Sequence, residues 1–133
     1  IWTRDVRSYA LNYNQFDISL APLVDSQFNS NKSQLKIIEA GFHKKPIIAS
    51  ATNPYLIDLV NAYDKGGFND KGNALLVDPY KGHKDWGKHM KRLIENPALR
   101  EDLANKLHEL VKSKYSMSVV NEYRAEFFKS IIK

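Results

Sequence analysis

Short apolar runs alternate along the chain with longer stretches in which apolar residues recur at helical spacing. The apolar runs at 17–21, 46–50 and 74–77 predict three short, buried strands. Helical spacing and helix-start residues predict the other elements. These helices cover residues 4–15, 32–43, 54–63, 83–95, 97–114 and 118–132.

Buried strands that are joined by helices predict a parallel sheet with right-handed crossovers. The predicted fold class is therefore α/β, with a partial, Rossmann-like parallel sheet of about three strands flanked by helices. Such a sheet is half of a doubly wound one. The last helix, 118–132, forms a helical C-terminal tail whose apolar stripe contains Val120, Tyr123, Phe127 and Ile131.

The predicted helix 32–43 has a charged face and an apolar face. Residues placed about 100° apart bring four polar side chains within roughly 60° of one another. They are Lys32, Lys36, Glu39 and His43. The apolar face consists of Leu35, Ile38 and Phe42. The helix can therefore bury one side and present charge on the other.

The charged face suits a nucleotide, although it also has an ordinary interpretation. The N–H groups and positive dipole at a helix start favour phosphate, and Lys32 and Ser33 are predicted there. Glu39 lies about 10 Å further along the helix axis, close to the distance from a diphosphate to a ribose. The alternative is an amphipathic helix with a solvated ion pair, since Lys36 and Glu39 are three residues apart.

Two loops follow predicted strands, and ligands of α/β proteins bind near the carboxyl ends of strands. Phe28 and Asn29 in the loop 22–31 are candidates for contact with base, phosphate or sugar. Thr52 and Asn53 are candidates in the loop 50–55. Asn53 also has a structural interpretation, because Asn53-Pro54 is a typical start for the predicted helix 54–63.

Composition indicates one soluble globular domain, and the lack of cysteine is compatible with a reducing compartment. The 133 residues are 43% hydrophobic and 26% charged, and there is no cysteine. The net charge of +5 arises in residues 81–133, which hold twelve Lys or Arg and seven Asp or Glu. This excess fits a solvated helix face, an anionic membrane surface or a nucleic acid. Trp86, Tyr115 and Tyr123 recur with apolar neighbours, which places them in the predicted core and disfavours nucleic acid.

Several kinds of catalytic or cofactor site have no matching motif in this sequence. The glycine-rich dinucleotide fingerprint, the P-loop, a Gly-x-Ser-x-Gly elbow and an Asp-x-Asp triplet are all absent. His83, His89 and His108 lack the spacing of metal ligands and lie on predicted surface helices. The sequence therefore predicts neither a metal site nor a bound cofactor.

Two long segments together resemble a known family. The segments LAPLVDSQFNSNKSQLKIIEAGFHKKPIIAS and NALLVDPYKGHKDWGKHMKRLIENPALREDL cover much of the chain. They resemble the C-terminal domain of GT-B glycosyltransferases of the group-1 type. In that family a helix with two Glu residues, separated by seven others, precedes an Ala-x-Gly-x-Pro-Val-Ile-Ala-Ser strand, and both elements hold a nucleotide sugar.

The resemblance implies roles for individual residues. Glu39 matches the second Glu of the family, which binds ribose. Asn31 replaces the first Glu, which contacts the transferred sugar, so the sugar contact would be uncharged. Lys32, Ser33 and Lys36 would bind the diphosphate. The family's catalytic residues lie outside these segments, so no catalytic residue is expected in this chain.

The resemblance also implies the activity of the whole protein. Residues 1–133 would form a single domain, the later part of a donor-binding C-terminal domain, without the N-terminal acceptor domain. The full protein would transfer a sugar from a nucleotide diphosphate sugar, with retention, to a glycan or lipid-linked acceptor, and without a metal. The chain alone is expected to be inactive. A non-catalytic nucleotide- or sugar-phosphate-binding module, and an interaction domain, are the alternatives.

The expected partners follow from this assignment. They are the nucleotide sugar and the missing acceptor domain, with no nucleic acid. The last helix would lack part of its packing partner, so self-association through exposed apolar surface is also expected. The predicted location is the cytoplasm, with peripheral contact at a membrane as a further candidate.

Overall fold

A computed structural model describes residue 5 and residues 7–81 and 83–132 of the chain. Five strands are present in that part: β1 (Ser19–Ala21), β2 (Ile47–Ser50), β3 (Tyr63–Asp64), β4 (Gly67–Phe68) and β5 (Leu75–Val77). Its α-helices are α1 (Gln27–Ser30), α2 (Leu35–Phe42), α3 (Lys84–Glu95), α4 (Pro97–Tyr115) and α5 (Met117–Ile131). Two 3₁₀ helices cover Tyr9–Gln15 and Tyr55–Ile57.

Three of the strands form a parallel sheet in the order β1-β2-β5. Ser19 pairs with Ile47, and Ile48 pairs with Leu75. The sheet is flanked by helices and followed by the helical tail α5. The predicted fold class is therefore confirmed. The remaining strands, β3 and β4, form a small antiparallel hairpin in which Gly67 has a φ of +109°, a conformation that glycine adopts without strain.

The two faces of the sheet are buried by different helices. Successive residues of a strand point to opposite faces, so the side chains of β2 divide between two hydrophobic clusters. Ile47 and Ala49 pack with Ile37 of α2. Ile48 packs with Leu93 of α3 and with Leu75. α2 and α3 therefore lie on opposite sides of the sheet.

α4 contributes to both of these clusters. Its N-terminal half supplies Leu99 and Leu103 to the cluster that contains α3. Its C-terminal half supplies Leu107 and Val111 to the cluster that contains α2. The helix begins as its sequence predicts, with Pro97 in the first turn and the Asn96 side chain accepting a hydrogen bond from the N–H of Leu99.

The predicted helix 54–63 is wrong, because only Tyr55–Ile57 is helical and in the 3₁₀ form. Asn53 does not cap it through its side chain. Beyond this turn the backbone forms hydrogen bonds with residues 73 and 74 instead. The N–H of Val60 donates to Oδ1 of Asn73 at 2.8 Å, and the N–H of Ala62 donates to the carbonyl of Ala74 at 2.8 Å. These bonds replace the helical ones.

The predicted start of the helix 32–43 is also wrong by one turn, since α2 begins at Leu35. The preceding residues are held by the short helix α1, because the N–H of Lys32 donates to the carbonyl of Asn29 at 3.1 Å. The first predicted helix is found as the 3₁₀ helix Tyr9–Gln15. Its predicted start at residue 4 lies outside the described residues.

The tail α5 has an apolar side that the described part of the chain leaves exposed. Tyr123 is 73% exposed, and Phe127, Phe128 and Ile131 are each more than half exposed. The sequence-based placement of Tyr123 in the core is therefore wrong. Among the helices described, none combines the length and the apolar character that crossing a lipid bilayer requires.

Candidate functional site

The charged face of α2 forms a small polar cluster with the first 3₁₀ helix. The hydroxyl of Tyr13 donates to Oε2 of Glu39 at 2.8 Å, and Nζ of Lys36 lies 3.6 Å from the same oxygen. Lys36 also donates to the hydroxyl of Tyr9 at 3.2 Å. The Glu39 side chain is 22% exposed. Its carboxylate is thus held in place, yet reachable from solvent.

Shifts in pKa preserve the charge of Lys36 and the hydroxyl proton of Tyr13 in this cluster. The hydrogen bond with Tyr9 and the charge of Glu39 hold the pKa of Lys36 above its usual value, although burial opposes them. Burial and the hydrogen bond with Glu39 raise the pKa of Tyr13, so its hydroxyl stays a donor at neutral pH. The cluster therefore offers an ammonium group for an anion and a carboxylate for hydroxyl groups.

A cavity of about 340 Å³ lies beside β1 at the same place. Tyr9, Tyr13 and Lys36 line it, together with Ser19 and Leu20 of the strand. β1 pairs only with β2 in the described sheet, so this side of β1 is an open edge. The Lys36–Glu39 ion pair expected from a plain amphipathic helix is present. In addition, Lys36 lines the cavity, and Glu39 accepts a hydrogen bond from the buried Tyr13.

The residues before α2 lie outside its first turn. Lys32 and Ser33 are both exposed, and Gln34 occupies the N-cap position. Nζ of Lys32 lies 4.9 Å from the ring centroid of Phe28, which is itself 77% exposed. The structure thus brings Lys32 next to Phe28, whereas Lys36 and Glu39 form a separate group on the helix.

Two predicted ligand-binding asparagines stabilise the loop that carries them. The side-chain amide of Asn29 donates to the carbonyl of Val24 at 2.8 Å. The amide of Asn31 donates to the carbonyl of Gln27 at 2.9 Å. Each side chain keeps its oxygen for a further partner, since an amide has both donors and an acceptor.

The loops at the carboxyl ends of the three sheet strands are joined by one aspartate. Asp25, after β1, accepts a hydrogen bond from the Thr52 hydroxyl at 2.7 Å and another from the Tyr80 hydroxyl. Thr52 follows β2 and is buried, while Tyr80 follows β5 and is 81% exposed. Asn53, beside Thr52, is exposed. Thr52 is therefore engaged within the chain, and Asn53 is accessible.

Two solved structures share this arrangement of elements. The first is HepE from Anabaena in complex with UDP, with a TM-score of 0.66 and 15% identity, covering 90% of this chain and 29% of HepE. The second is the C-terminal domain of a group 1 family glycosyltransferase, LpcC, from Francisella tularensis. Its TM-score is 0.67 at 23% identity, covering 88% of this chain and 52% of that one.

The chain has the fold of a glycosyltransferase C-terminal domain. The predicted resemblance is thereby confirmed at the level of the fold. No protein-family model matches the chain, and no curated protein matches its sequence. The chain spans 29% and 52% of the lengths of the two solved structures.

Several residues of this glycosyltransferase-like fold were not predicted as part of the site. Tyr9 and Tyr13 reach the α2 face from a segment more than twenty residues upstream, and no spacing rule links them to Glu39. Asp25 carries a weak signal, because it is a polar residue in a loop that follows a strand. Tyr80 comes from the loop after the last strand.

The described residues contain no group of three or more His, Asp or Glu side chains placed to hold a metal ion. The acidic side chains near the strand ends form hydrogen bonds with other residues of the chain. Asp25 joins loops, and its hydrogen bonds from Tyr80 and Thr52 hold its pKa below the usual value. Asp78 accepts a hydrogen bond from the N–H of Tyr80 at 2.9 Å.

Proposed function

We propose that this chain is the donor-binding part of a group-1-type glycosyltransferase and binds a nucleotide diphosphate sugar. The observation that carries the proposal is the partly exposed Glu39 carboxylate, held by Tyr13 and Lys36, which both line the cavity beside β1. Support comes from the fold, which is similar to that of HepE, a protein solved in complex with UDP.

Glu39 would bind the ribose. Its Oε2 is occupied by Tyr13 and Lys36, and no described residue donates a hydrogen bond to Oε1. A carboxylate has about four lone-pair sites, so it can accept two ribose hydroxyls while it keeps these partners. Tyr13 would fix the orientation of the carboxylate before the ligand arrives.

The diphosphate would lie toward the start of α2. Lys36 is the cation within the cluster, and Lys32 and Ser33 are exposed just before the helix. The first N–H groups of the helix lack intrahelical partners and add their partial positive charge. Asn31 would contact the transferred sugar through its amide oxygen, since its NH₂ group is bonded to Gln27.

The loops at the strand ends would complete the donor site. Phe28 and Asn53 are exposed and would contact the ligand with their side chains. Asn29 and Thr52 are engaged with Val24 and Asp25, so they would act mainly by holding the loops in position.

The reaction proposed for the full protein is sugar transfer with retention, without a metal, to a glycan or lipid-linked acceptor bound by another domain. The negative charge that develops on the leaving diphosphate would be stabilised by Lys32, Lys36 and the α2 dipole. Because the acceptor domain would supply the catalytic groups, the chain alone should transfer no sugar. A cytoplasmic location and peripheral contact with a membrane belong to the same proposal.

Isothermal titration calorimetry with UDP-, GDP- and ADP-glucose tests donor binding by the chain. One of the three is expected to bind, and Glu39→Ala should raise its Kd about tenfold to a hundredfold. The reason is that a hydrogen bond to a charged group contributes about 1.5–3 kcal/mol. Glu95→Ala is the matched control, because Glu95 also pairs with a lysine, Lys91, but on α3.

A folded wild-type chain that binds none of the three nucleotides, or only through residues other than Glu39 and Lys36, would overturn the proposal. The alternative of an interaction domain has one specific observation in its favour, the exposed apolar side of α5. It predicts no nucleotide binding and a protein partner on that helix. A non-catalytic module predicts donor binding by a full protein that transfers no sugar.

A further inference from the structure

A second and larger cavity, of about 910 Å³, lies at the carboxyl ends of the sheet strands. It is lined mainly by α3, the β3–β4 hairpin and the loop after β5, and also by Asp25 after β1 and Ala51 after β2. α3 lies on the opposite face of the sheet from α2, and no residue of α2 lines this cavity.

Two positively charged side chains of α3 line this cavity without a direct ion pair in the described chain. Lys88 and Arg92 are one helical turn apart and both line it. Neither forms an ion pair with any residue that the structure describes. By contrast, Lys91, also on α3, pairs with Glu95 at 3.7 Å. The cavity thus keeps two cations available for a ligand.

Arg92 is oriented by an aromatic ring. Its Cζ lies 3.7 Å from the ring centroid of Tyr63, at the start of the hairpin. Stacking fixes the guanidinium plane and leaves its N–H groups at the edge of the plane to bind an oxyanion. A phosphate is the group that such a fixed fork recognises best.

His89 adds a buried polar atom to the lining of the cavity. The residue lines the cavity, is 8% exposed, and its Nδ1 has no hydrogen-bond partner in the described part of the chain. Burial and then the charge of Arg92 hold its pKa below the usual value, so the ring is neutral at pH 7. A buried ring nitrogen is normally hydrogen-bonded, and water or a ligand hydroxyl would satisfy this one.

The acidic residues of the cavity narrow the class of ligand. Asp25, Asp64, Asp78 and Asp85 line it and balance the charges of Lys65, Lys81, Lys88 and Arg92. A simple polyanion would meet these carboxylates unfavourably. Hydroxyl groups would instead donate hydrogen bonds to them. A ligand that carries both a phosphate and several hydroxyls satisfies both sets of side chains.

We infer that this cavity binds a phosphorylated polyol, with the phosphate on Lys88 and Arg92 and the hydroxyls on Asp78 and Asp85. A free sugar phosphate and the inositol phosphate head group of a lipid share this chemistry. The two sites meet at Asp25, which lines this cavity and accepts a hydrogen bond from Thr52. None of the residues that would bind the donor on α2 lines the cavity, so substitutions can separate the two sites.

Titration of the 133-residue chain with glucose 6-phosphate, followed by NMR chemical shifts, tests the site. Shifts are expected in α3 and in the hairpin. The double variant Lys88→Gln/Arg92→Gln should raise the Kd at least tenfold. Lys91→Gln is the matched control, since it removes a positive charge from the same helix outside the cavity, and its Kd should stay within twofold of wild type. Circular dichroism checks that each variant is folded.

Two further arms identify the ligand source. Glucose and inorganic phosphate should each bind at least tenfold more weakly than glucose 6-phosphate if both halves of the ligand are recognised. Phosphatidylcholine vesicles with and without phosphatidylinositol identify the lipid form. Binding that requires the inositol lipid, and that the double variant loses, supports the proposal with a membrane source.

The proposal is overturned if neither glucose 6-phosphate nor the inositol lipid binds, or if the double variant binds as well as Lys91→Gln. It is also overturned if Glu39→Ala weakens glucose 6-phosphate binding as strongly as the double variant does. That result would place the ligand on α2. Failure of UDP-, GDP- and ADP-glucose to bind bears only on the donor site.

Discussion

Asp58 is the buried carboxylate of the described chain, with a side chain that is 1% exposed. It accepts hydrogen bonds from Lys114 at 2.6 Å, from the Tyr115 hydroxyl at 2.6 Å, and from the Gln34 amide at 3.2 Å. Gln34 is the N-cap residue of α2, whereas Lys114 and Tyr115 end α4. One carboxylate therefore connects the start of α2 with the end of α4.

The stability that Asp58 contributes depends on pH with a definite sign. Burial alone would raise the pKa of Asp58, but the hydrogen bonds from Lys114, Tyr115 and Gln34 outweigh it and lower the pKa. A lowered pKa in the folded state means that the contribution is complete above the unfolded pKa of about 3.9. It is lost as the pH falls through the folded-state pKa.

Asp58→Asn should lower the free energy of unfolding by about 1–3 kcal/mol at pH 7, because buried donors lose a charged acceptor. The loss should shrink toward zero as the pH is lowered below 4. Urea denaturation at stepped pH measures both effects. Asp102→Asn is the control, since Asp102 pairs with Lys106 on the surface of α4 and should cost at most about 1 kcal/mol. Equal losses in the two variants at pH 7 would contradict this account.

At the scale of elements, the contact between α2 and α4 is close because of a glycine. A Cβ on Gly41 would lie 2.6 Å from Cγ2 of Val111 and 3.1 Å from the carbonyl oxygen of Leu107. Both of these residues belong to α4. The helices can approach this closely only while position 41 lacks a side chain.

Gly41→Ala should therefore destabilise the protein by about 1–3 kcal/mol, the usual cost of overpacking a core. Gly87→Ala is the matched control, because nothing lies within 4 Å of a Cβ at that exposed position of α3. It should stabilise the protein by about 0.5–1 kcal/mol through helix propensity. Thermal and urea denaturation report both changes. A neutral Gly41→Ala would mean that the two helices separate easily.

The sequence predicts an element well where local signals agree. Pro97 and Asn96 define the start of α4, and the three buried runs each contain a strand of the sheet. The prediction of a helix at 54–63 was wrong because the Asn73 side chain binds the backbone of Val60, a contact that no local pattern contains. The placement of Tyr123 in the core was wrong for another reason: periodicity shows that a helix face is apolar, but not which part of the protein covers it.

In the candidate site, too, only the contacts between residues close in sequence could be predicted. Lys36 and Glu39 share a face because helical spacing is local, so that pairing could be predicted. The hydroxyl of Tyr13 reaches Glu39 through the tertiary fold, and the cavity beside α3 requires several separate segments to meet. Neither arrangement has a signature in the spacing of residues.

At the scale of the whole molecule, the exposed apolar side of α5 is expected to bind a protein partner. In the described chain α5 contacts α4, and Tyr123, Phe127 and Phe128 stay more than half exposed. Neighbouring exposed apolar residues are typical of association surfaces. A second copy of the chain is the partner available in a purified sample.

Sedimentation equilibrium should show concentration-dependent self-association of the purified chain. Tyr123→Ser/Phe127→Ser should weaken it at least tenfold, because it removes two aromatic rings from the apolar side of α5. Glu126→Ser, an exposed change on the same helix, should leave it within twofold of wild type. A clean monomer at high concentration would contradict the prediction.

α4 gives the domain its unity. Its 19 residues span about 28 Å, with Leu99 and Leu103 inserted on one side of the sheet and Leu107 and Val111 on the other. Because one helix carries both pairs of side chains, loosening the contacts of either pair also disturbs the contacts of the other. The two halves of the interior should melt as one cooperative unit, with a single endotherm instead of two.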